Sequence, residues 1–215
     1  LRKGVLIGGI VINLLILFLF KYLDFAIDNI NSVLSAVNIS VIDNKFDFLL
    51  PVGISFYTFQ ALGYVIDVYR KEIPAEYNPL RYALFVSFFP QLVAGPIERS
   101  GNLMHQLKNV HEINLWNYER IIKGFMVMMW GFFMKVIVAD RAAAIANNVF
   151  DNYYALGTFE LIMGAVFFAI QIYCDFAGYS LIAIGAARTM GIELMENFHR
   201  PYFATSVADF WRKWH

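Results

Sequence analysis

The chain has 215 residues, of which 59% are hydrophobic, 17% aromatic and only 16% charged, with a mean hydropathy of +0.54. Soluble domains are about 45–50% apolar and about 25% charged, so the composition excludes an ordinary soluble or disordered chain, and the single cysteine excludes a disulfide scaffold. Seventeen acidic residues balance seventeen basic ones, so no net charge points to nucleic acid. The class is an integral membrane protein, all-α and multi-spanning.

A bilayer core of about 30 Å needs roughly 20 mostly apolar residues per helix. Residues 4–20 carry no charge and lie between Arg2, Lys3 and Lys21. Phe18, Phe20 and Tyr22 stand where a signal peptide would place small residues, so this is a retained helix. Residues 48–66 form the next uncharged run, with Pro51 and Gly53 near its start. Residues 82–97 are apolar but short, broken by Pro90, Gly95 and Pro96. Irregular backbone at membrane depth survives only where protein or a wet cavity satisfies it, so 82–97 reads as a broken or re-entrant segment. Residues 121–139 are predicted to span, with Lys135 near the end where its stem can snorkel. Residues 155–174 span again and Asp175 follows at a helix junction. Residues 176–192 are rich in small residues suited to close helix packing.

Loop charge orients the set. Segment 21–47 is acidic, with Asp24, Asp28, Asp43 and Asp47, whereas 67–81 and 99–123 are basic. The positive-inside rule puts the two basic segments in the cytoplasm and 140–154 outside. No repeat, low-complexity tract or linker marks a domain boundary, so residues 1–215 read as a single membrane domain. The chain begins at Leu1 and ends at His215 without a polar tail or stop signal, the expectation for the central piece of a longer protein.

Soluble-enzyme motifs are absent. His105, His111, His199 and His215 form no i, i+4 pair, so no metal is expected. There is no phosphate-binding GxxxxGK[ST] and no GxSxG nucleophile elbow. Chemistry must therefore come from polar groups at the membrane, where ionisable residues are costly and functional by default. The candidates are Glu98, Arg99, Asp175, the cluster Glu193, Glu196, Asn197, His199 and Arg200, and the terminal group Asp209, Arg212, Lys213 and His215. Most are also consistent with interfacial solvation or with charge pairs that hold helices together. In WRKWH a helix would set His215 beside an aromatic face; such clusters also form interfacial belts, yet an imidazole can act as a general base near neutral pH.

The strings LPVGISFYTFQALGYVIDVYR (50–70), FFPQLVAGPIERSGNLMHQL (88–107) and QIYCDFAGYSLIAIGAARTMGIELMENFHRPYFATSVADFWRKWH (171–215) resemble the membrane-bound O-acyltransferase family. They are most similar to its branch for O-acetylation of alginate and related cell-surface polysaccharides; D-alanyl transfer to teichoic acid is a neighbouring branch. The resemblance runs from about residue 48 to the end. It implies a helical membrane enzyme around a central tunnel, moving an acyl group from a thioester to a hydroxyl.

By this resemblance His215 is the catalytic histidine of the FWRxWH motif, and a second family histidine lies beyond the chain end. Pro90, Gly95, Pro96, Asp175, Gly178, Tyr179, Asn197, Arg200 and Pro201 match tightly kept positions and are assigned to tunnel shape and support. Ala177 and Leu181 depart from the branch, which often has small polar or acidic residues there, and could alter tunnel polarity. No bound cofactor is implied; the co-substrate is an acyl thioester, acetyl-CoA or an acyl carrier. The implied partners are the lipid bilayer, a polysaccharide acceptor and periplasmic or extracytoplasmic acetylation proteins, and the implied location is the cytoplasmic (inner) membrane. Two alternatives stand beside this: D-alanyl transfer by the same fold, and a transporter or channel using the broken 82–97 segment and Asp175.

Overall fold

A computed structural model of the chain describes residues 2–42, 51, 53–92, 95 and 98–214. Every named element among them is helical. In order these are α1 (Arg2–Lys21), α2 (Leu23–Ala36), α3 (Ile54–Arg70), α4 (Pro79–Val86), α5 (Phe89–Leu92), α6 (Ser100–Lys108), α7 (Tyr118–Phe132), α8 (Asp140–Asp151), α9 (Thr158–Met190) and α10 (Val207–Lys213). A π-helical stretch, Phe133–Ala139, joins α7 to α8 without a break. Three helices are long and apolar enough to cross a membrane: Arg2–Lys21, Tyr118–Asp151 and Thr158–Met190. The all-helical, multi-spanning expectation holds.

Several boundaries differ from expectation. The acidic stretch after α1 is helical over Leu23–Ala36 rather than a loop. Residues 140–151 continue the preceding helix, so Lys135 sits in the middle of a 34-residue helix and not at a snorkelling end. The expected junction at Asp175 is also absent, because α9 runs unbroken for 33 residues. No glycine or proline lies between Gln171 and Phe176 to stop it. Segment 82–97 is broken as predicted: α4 ends at Val86 and the four-residue α5 follows.

The described chain packs as two units, Leu1–Ser87 with Arg99–Gly101, and Phe88–Glu98 with Asn102–His215. In the first, α1 lies against α3, closely enough that a Cβ on Gly9 would meet Val65 at 3.3 Å. The buried Gln60 amide donates to the Phe85 carbonyl at 2.8 Å, which satisfies a carbonyl in the last turn of α4. Asn78 caps α4 by accepting from the Leu80 and Arg81 amides at 3.0 and 3.4 Å, with Pro79 in the first turn.

In the second unit, α9 is the central post against which α5, α7 and α8 pack. Two glycine pairs let α7 and α9 touch backbone to backbone. A Cβ on Gly124 would lie 2.8 Å from the Gly185 carbonyl, and one on Gly131 would lie 2.6 Å from the Gly178 carbonyl. The partners are seven residues apart on each helix, so they recur on one face. This is the close small-residue packing that residues 176–192 predict. Gly164 extends it toward α8, where a Cβ would stand 2.9 Å from Val149 Cβ. Gly191, at φ 88°, ends α9 in the left-handed conformation that glycine adopts without strain.

Candidate functional site

One face of α9 carries Tyr173, Ala177, Ser180, Leu181, Ile184 and Arg188 along a single helical stripe, and this stripe walls a cavity of about 310 Å³. Val127, Trp130 and Met134 close the side toward α7, and Leu194 to Phe198 supply much of the remainder. The cavity is mixed in character: its waist is aliphatic, and it has aromatic rings at the Tyr173 end and a guanidinium at the Arg188 end. Ala177 and Leu181, the two departures noted in the sequence, both face it, so they bear directly on its polarity.

The 192–198 wall has no regular structure, and side chains hold it in place. The amide of Gln106 forms a reciprocal pair with the Glu193 backbone, donating to its carbonyl at 2.8 Å and accepting from its N–H at 2.7 Å. Glu98, only 3% exposed, accepts from the Met195 N–H at 2.8 Å and from Asn102. Asn197 Nδ2 donates to the buried Ser180 hydroxyl at 2.7 Å. The interfacial solvation that the sequence allowed for Glu98 is therefore replaced by an internal anchor. Gln106 and Ser180 carry no sequence signal at all, because their partners are backbone groups or lie 17 to 87 residues away.

At the aromatic end, Tyr173 and Phe198 pack edge to face, and both contact Trp214, at ring separations of 6.3 and 5.2 Å. Tyr202 and Phe210 complete the cluster. An antiparallel bridge joins Phe198 to Trp214, with the His199 N–H donating to the Lys213 carbonyl at 2.9 Å. Ser206 caps α10 through the Asp209 N–H at 3.1 Å. Asp209 in turn accepts from the Lys213 ammonium at 2.7 Å and the Thr205 N–H at 3.1 Å, and these contacts, the ammonium first, hold its carboxyl below the usual range. His215 and Pro96 lie outside the described residues.

The other sequence candidates fall into separate places. Asp175 pairs with Lys135 at 2.7 Å, and Lys135 also reaches Asp140 at 2.8 Å and sits 5.4 Å over the Tyr179 ring. The basic partner that the sequence around Asp175 lacked comes from the π-helical stretch of the neighbouring helix. Gly178 forms the α7–α9 contact described above. Pro90 and Gly95 are buried at α5, where a Cβ on Gly95 would collide with Gln91. Arg200 is exposed and takes a left-handed conformation, φ 50°, just before Pro201. Of the described residues singled out for tunnel shape, only Asn197 lines the cavity.

The model of MBOAT, the membrane-bound O-acyltransferase family, matches residues 70–215, which contain the cavity, its anchors and the aromatic cluster. The chain belongs to this family. The chain resembles "Probable alginate O-acetylase AlgI" of Pseudomonas aeruginosa, with 39% identity over 98% of this chain and 39% of the relative. It is 36% identical to "Peptidoglycan O-acetyltransferase" of Helicobacter pylori, over 98% of this chain and 43% of that protein. To "Teichoic acid D-alanyltransferase" of Bacillus subtilis the identity is 30%, over 76% of this chain and 41% of the relative. The chain thus spans about two fifths of the length of these curated relatives. The likeness to the first two also takes in the N-terminal region, beyond the stretch from residue 48 read in the sequence.

Proposed function

We propose that the full protein is a multi-pass enzyme of the cytoplasmic membrane that transfers an acyl group, most simply acetyl, from a thioester to hydroxyls of an exported cell-surface polysaccharide. The observation that carries this reading is the cavity on α9, inside the family-matched segment, whose aromatic end adjoins Trp214, the residue that precedes His215 in the sequence. In this reading the His215 imidazole removes the proton from the acceptor hydroxyl, and its oxygen attacks the thioester carbonyl carbon. The tetrahedral intermediate then collapses: the carbon–sulfur bond breaks and the thiolate leaves with the proton that the imidazolium held. Enclosure by helices excludes the water that would otherwise hydrolyse the thioester. In this reading Pro90, Gly95, Pro96, Asp175, Gly178, Tyr179 and Arg200 are assigned to the shape and support of the passage, and Asn197, bonded to Ser180, to its wall.

Greater identity to the two O-acetyltransferases than to the D-alanyltransferase supports acetyl over D-alanyl. An acceptor outside the cell and a thioester inside it also account for an enzyme built through the bilayer, with extracytoplasmic acetylation proteins acting downstream. The test is His215→Ala in the full-length protein, with ester-linked acetate on the exported polymer as the readout. Loss of a general base lowers the rate by about 10²- to 10⁴-fold. Acetate at the normal level would overturn the reading, and ester-linked D-alanine on the polymer would replace it with the neighbouring one.

A further inference from the structure

The first unit holds a cavity that acyl transfer does not use. α1 and α3 meet at Gly9 and Val65, and toward the Arg2 and Tyr69 ends of the two helices a groove of about 340 Å³ lies between them. Val5 and Leu6 form one wall, Val65 and Val68 the other. These positions recur at helical spacing, so each helix turns one aliphatic stripe to the groove. The end nearer the middle of α3 is fixed: the Tyr64 hydroxyl accepts from the Glu76 N–H at 2.7 Å, and the Tyr64 ring packs on Tyr82 at 5.0 Å. The groove is therefore preformed, aliphatic along its length and lined by a single charged group, a composition that ligand sites share.

That charged group is Arg2. Its Nη2 donates to the Tyr69 carbonyl at 3.1 Å and its guanidinium lies 5.8 Å over the Tyr69 ring, which orients the head while other N–H donors stay open to a ligand. Among the described residues Arg2 makes no ion pair. The acids at this end of α3 and just after it are engaged elsewhere: Asp67 accepts from Ser100, Glu72 lies 3.8 Å from Arg70, and Glu76 pairs with Arg81 at 3.1 Å. Lys3 and Lys71, both exposed, add positive charge to the same helix ends.

The surroundings decide what fits. α1 is long and apolar enough to span, and its Arg2 end, like basic segment 67–81, is cytoplasmic by the charge rule. The groove thus opens at headgroup level, where its aliphatic walls meet lipid. From Arg2 to Leu6 is about 6 Å along α1, the depth of the glycerol esters and the upper methylenes of one acyl chain. A water-soluble anion would match the arginine and leave the walls unfilled. A zwitterionic headgroup would bring its own ammonium against Arg2, Lys3 and Lys71, whereas an anionic one is attracted by all three.

We propose that this groove is a binding site for an anionic phospholipid, whose phosphate takes the Arg2 guanidinium and one of whose acyl chains lies against Val5, Leu6, Val65 and Val68. The site is independent of the chemistry given under Proposed function.

The test uses the full-length protein in phosphatidylcholine vesicles doped with phosphatidylglycerol that carries a photoreactive diazirine high on one acyl chain, and mass spectrometry locates the label. Labelling is expected at Val65 and Val68 and on the facing residues of α1, and the same diazirine on phosphatidylcholine should label them about fivefold less. Arg2→Gln should lower labelling by phosphatidylglycerol about fivefold, the worth of one basic residue at an anionic lipid surface. Arg2→Lys keeps the charge, should recover most of the labelling and guards against misfolding. Val5→Trp fills the groove from an exposed position with Arg2 in place and should abolish labelling at Val65 and Val68. Equal labelling by the two lipids, unchanged labelling in Arg2→Gln, or no label at these residues because another part of the full chain fills the groove would each overturn the proposal.

Discussion

Lys135 Nζ lies 2.7 Å from Asp175 Oδ1, joining the middles of the two longest helices across a π-helical stretch. The same ammonium reaches Asp140 at 2.8 Å, so a single cation serves two carboxylates. Lys135→Ala leaves both acids without a partner, whereas Asp175→Asn leaves the Lys135–Asp140 pair intact. The lysine change should therefore destabilise more. With side chains 24 to 50% exposed, the loss is discounted from that of a fully buried pair to about 1–2 kcal/mol. Thermal unfolding of the two variants in detergent gives the order; a larger drop for Asp175→Asn would contradict it.

The glycine pairs between α7 and α9 set a steric test. Gly131→Ala places a methyl 2.6 Å from the Gly178 carbonyl, and Gly185→Ala places one 2.6 Å from the Gly124 carbonyl. Both sites are helix backbone that cannot yield locally, so each substitution should cost about 1–3 kcal/mol. Gly4→Ala, with no atom within 4 Å, is the control and should be neutral or mildly stabilising. Melting temperatures of the three variants decide the matter.

The wall of the cavity depends on the side-chain amide of Gln106 and the carboxylate of Glu98. Gln106→Ala exposes the Glu193 N–H and carbonyl together, and Glu98→Ala orphans the Met195 N–H. Each should cost about 1–3 kcal/mol locally. Hydrogen exchange should quicken at Glu193 in the first variant and at Met195 in the second. Unchanged protection at both sites would mean that the wall is held by something else.

The lowered carboxyl of Asp209 carries a pH signature. A group whose folded value lies below its unfolded one contributes stability above the unfolded value, near about 3.9, and loses it as pH falls through the folded value. The stability difference between the native chain and Asp209→Asn should thus be level from neutral pH to about pH 5 and shrink at more acid pH. Protection of the Thr205 N–H, which donates to Asp209, reports it directly.

Helical class, the broken 82–97 segment and the long apolar spans were legible in the sequence because they depend on composition, proline and glycine. The boundaries around Lys135 and Asp175 were not. Each charge looked like the end of a span when considered alone, and only their mutual neutralisation lets both helices run on through them. The site was legible in part. Asn197 was found through a motif, and Ala177 and Leu181 were noticed as departures, but Ser180, Gln106 and Arg188 emerge only once distant segments meet. Asp175 and Gly178, which the resemblance assigns to tunnel shape and support, sit at the seam between α7 and α9 and do not line the cavity.

The 33 residues of α9 measure about 50 Å end to end. Even inclined by about 40°, near the limit seen for membrane helices, such a rod rises roughly 38 Å against a hydrocarbon slab of about 30 Å. Several residues must therefore project from the oily layer into the headgroups or the water beyond. If the overhang falls at the Met190 end, a hydrophilic molecule could meet the Arg188 end of the α9 cavity without first dissolving in lipid.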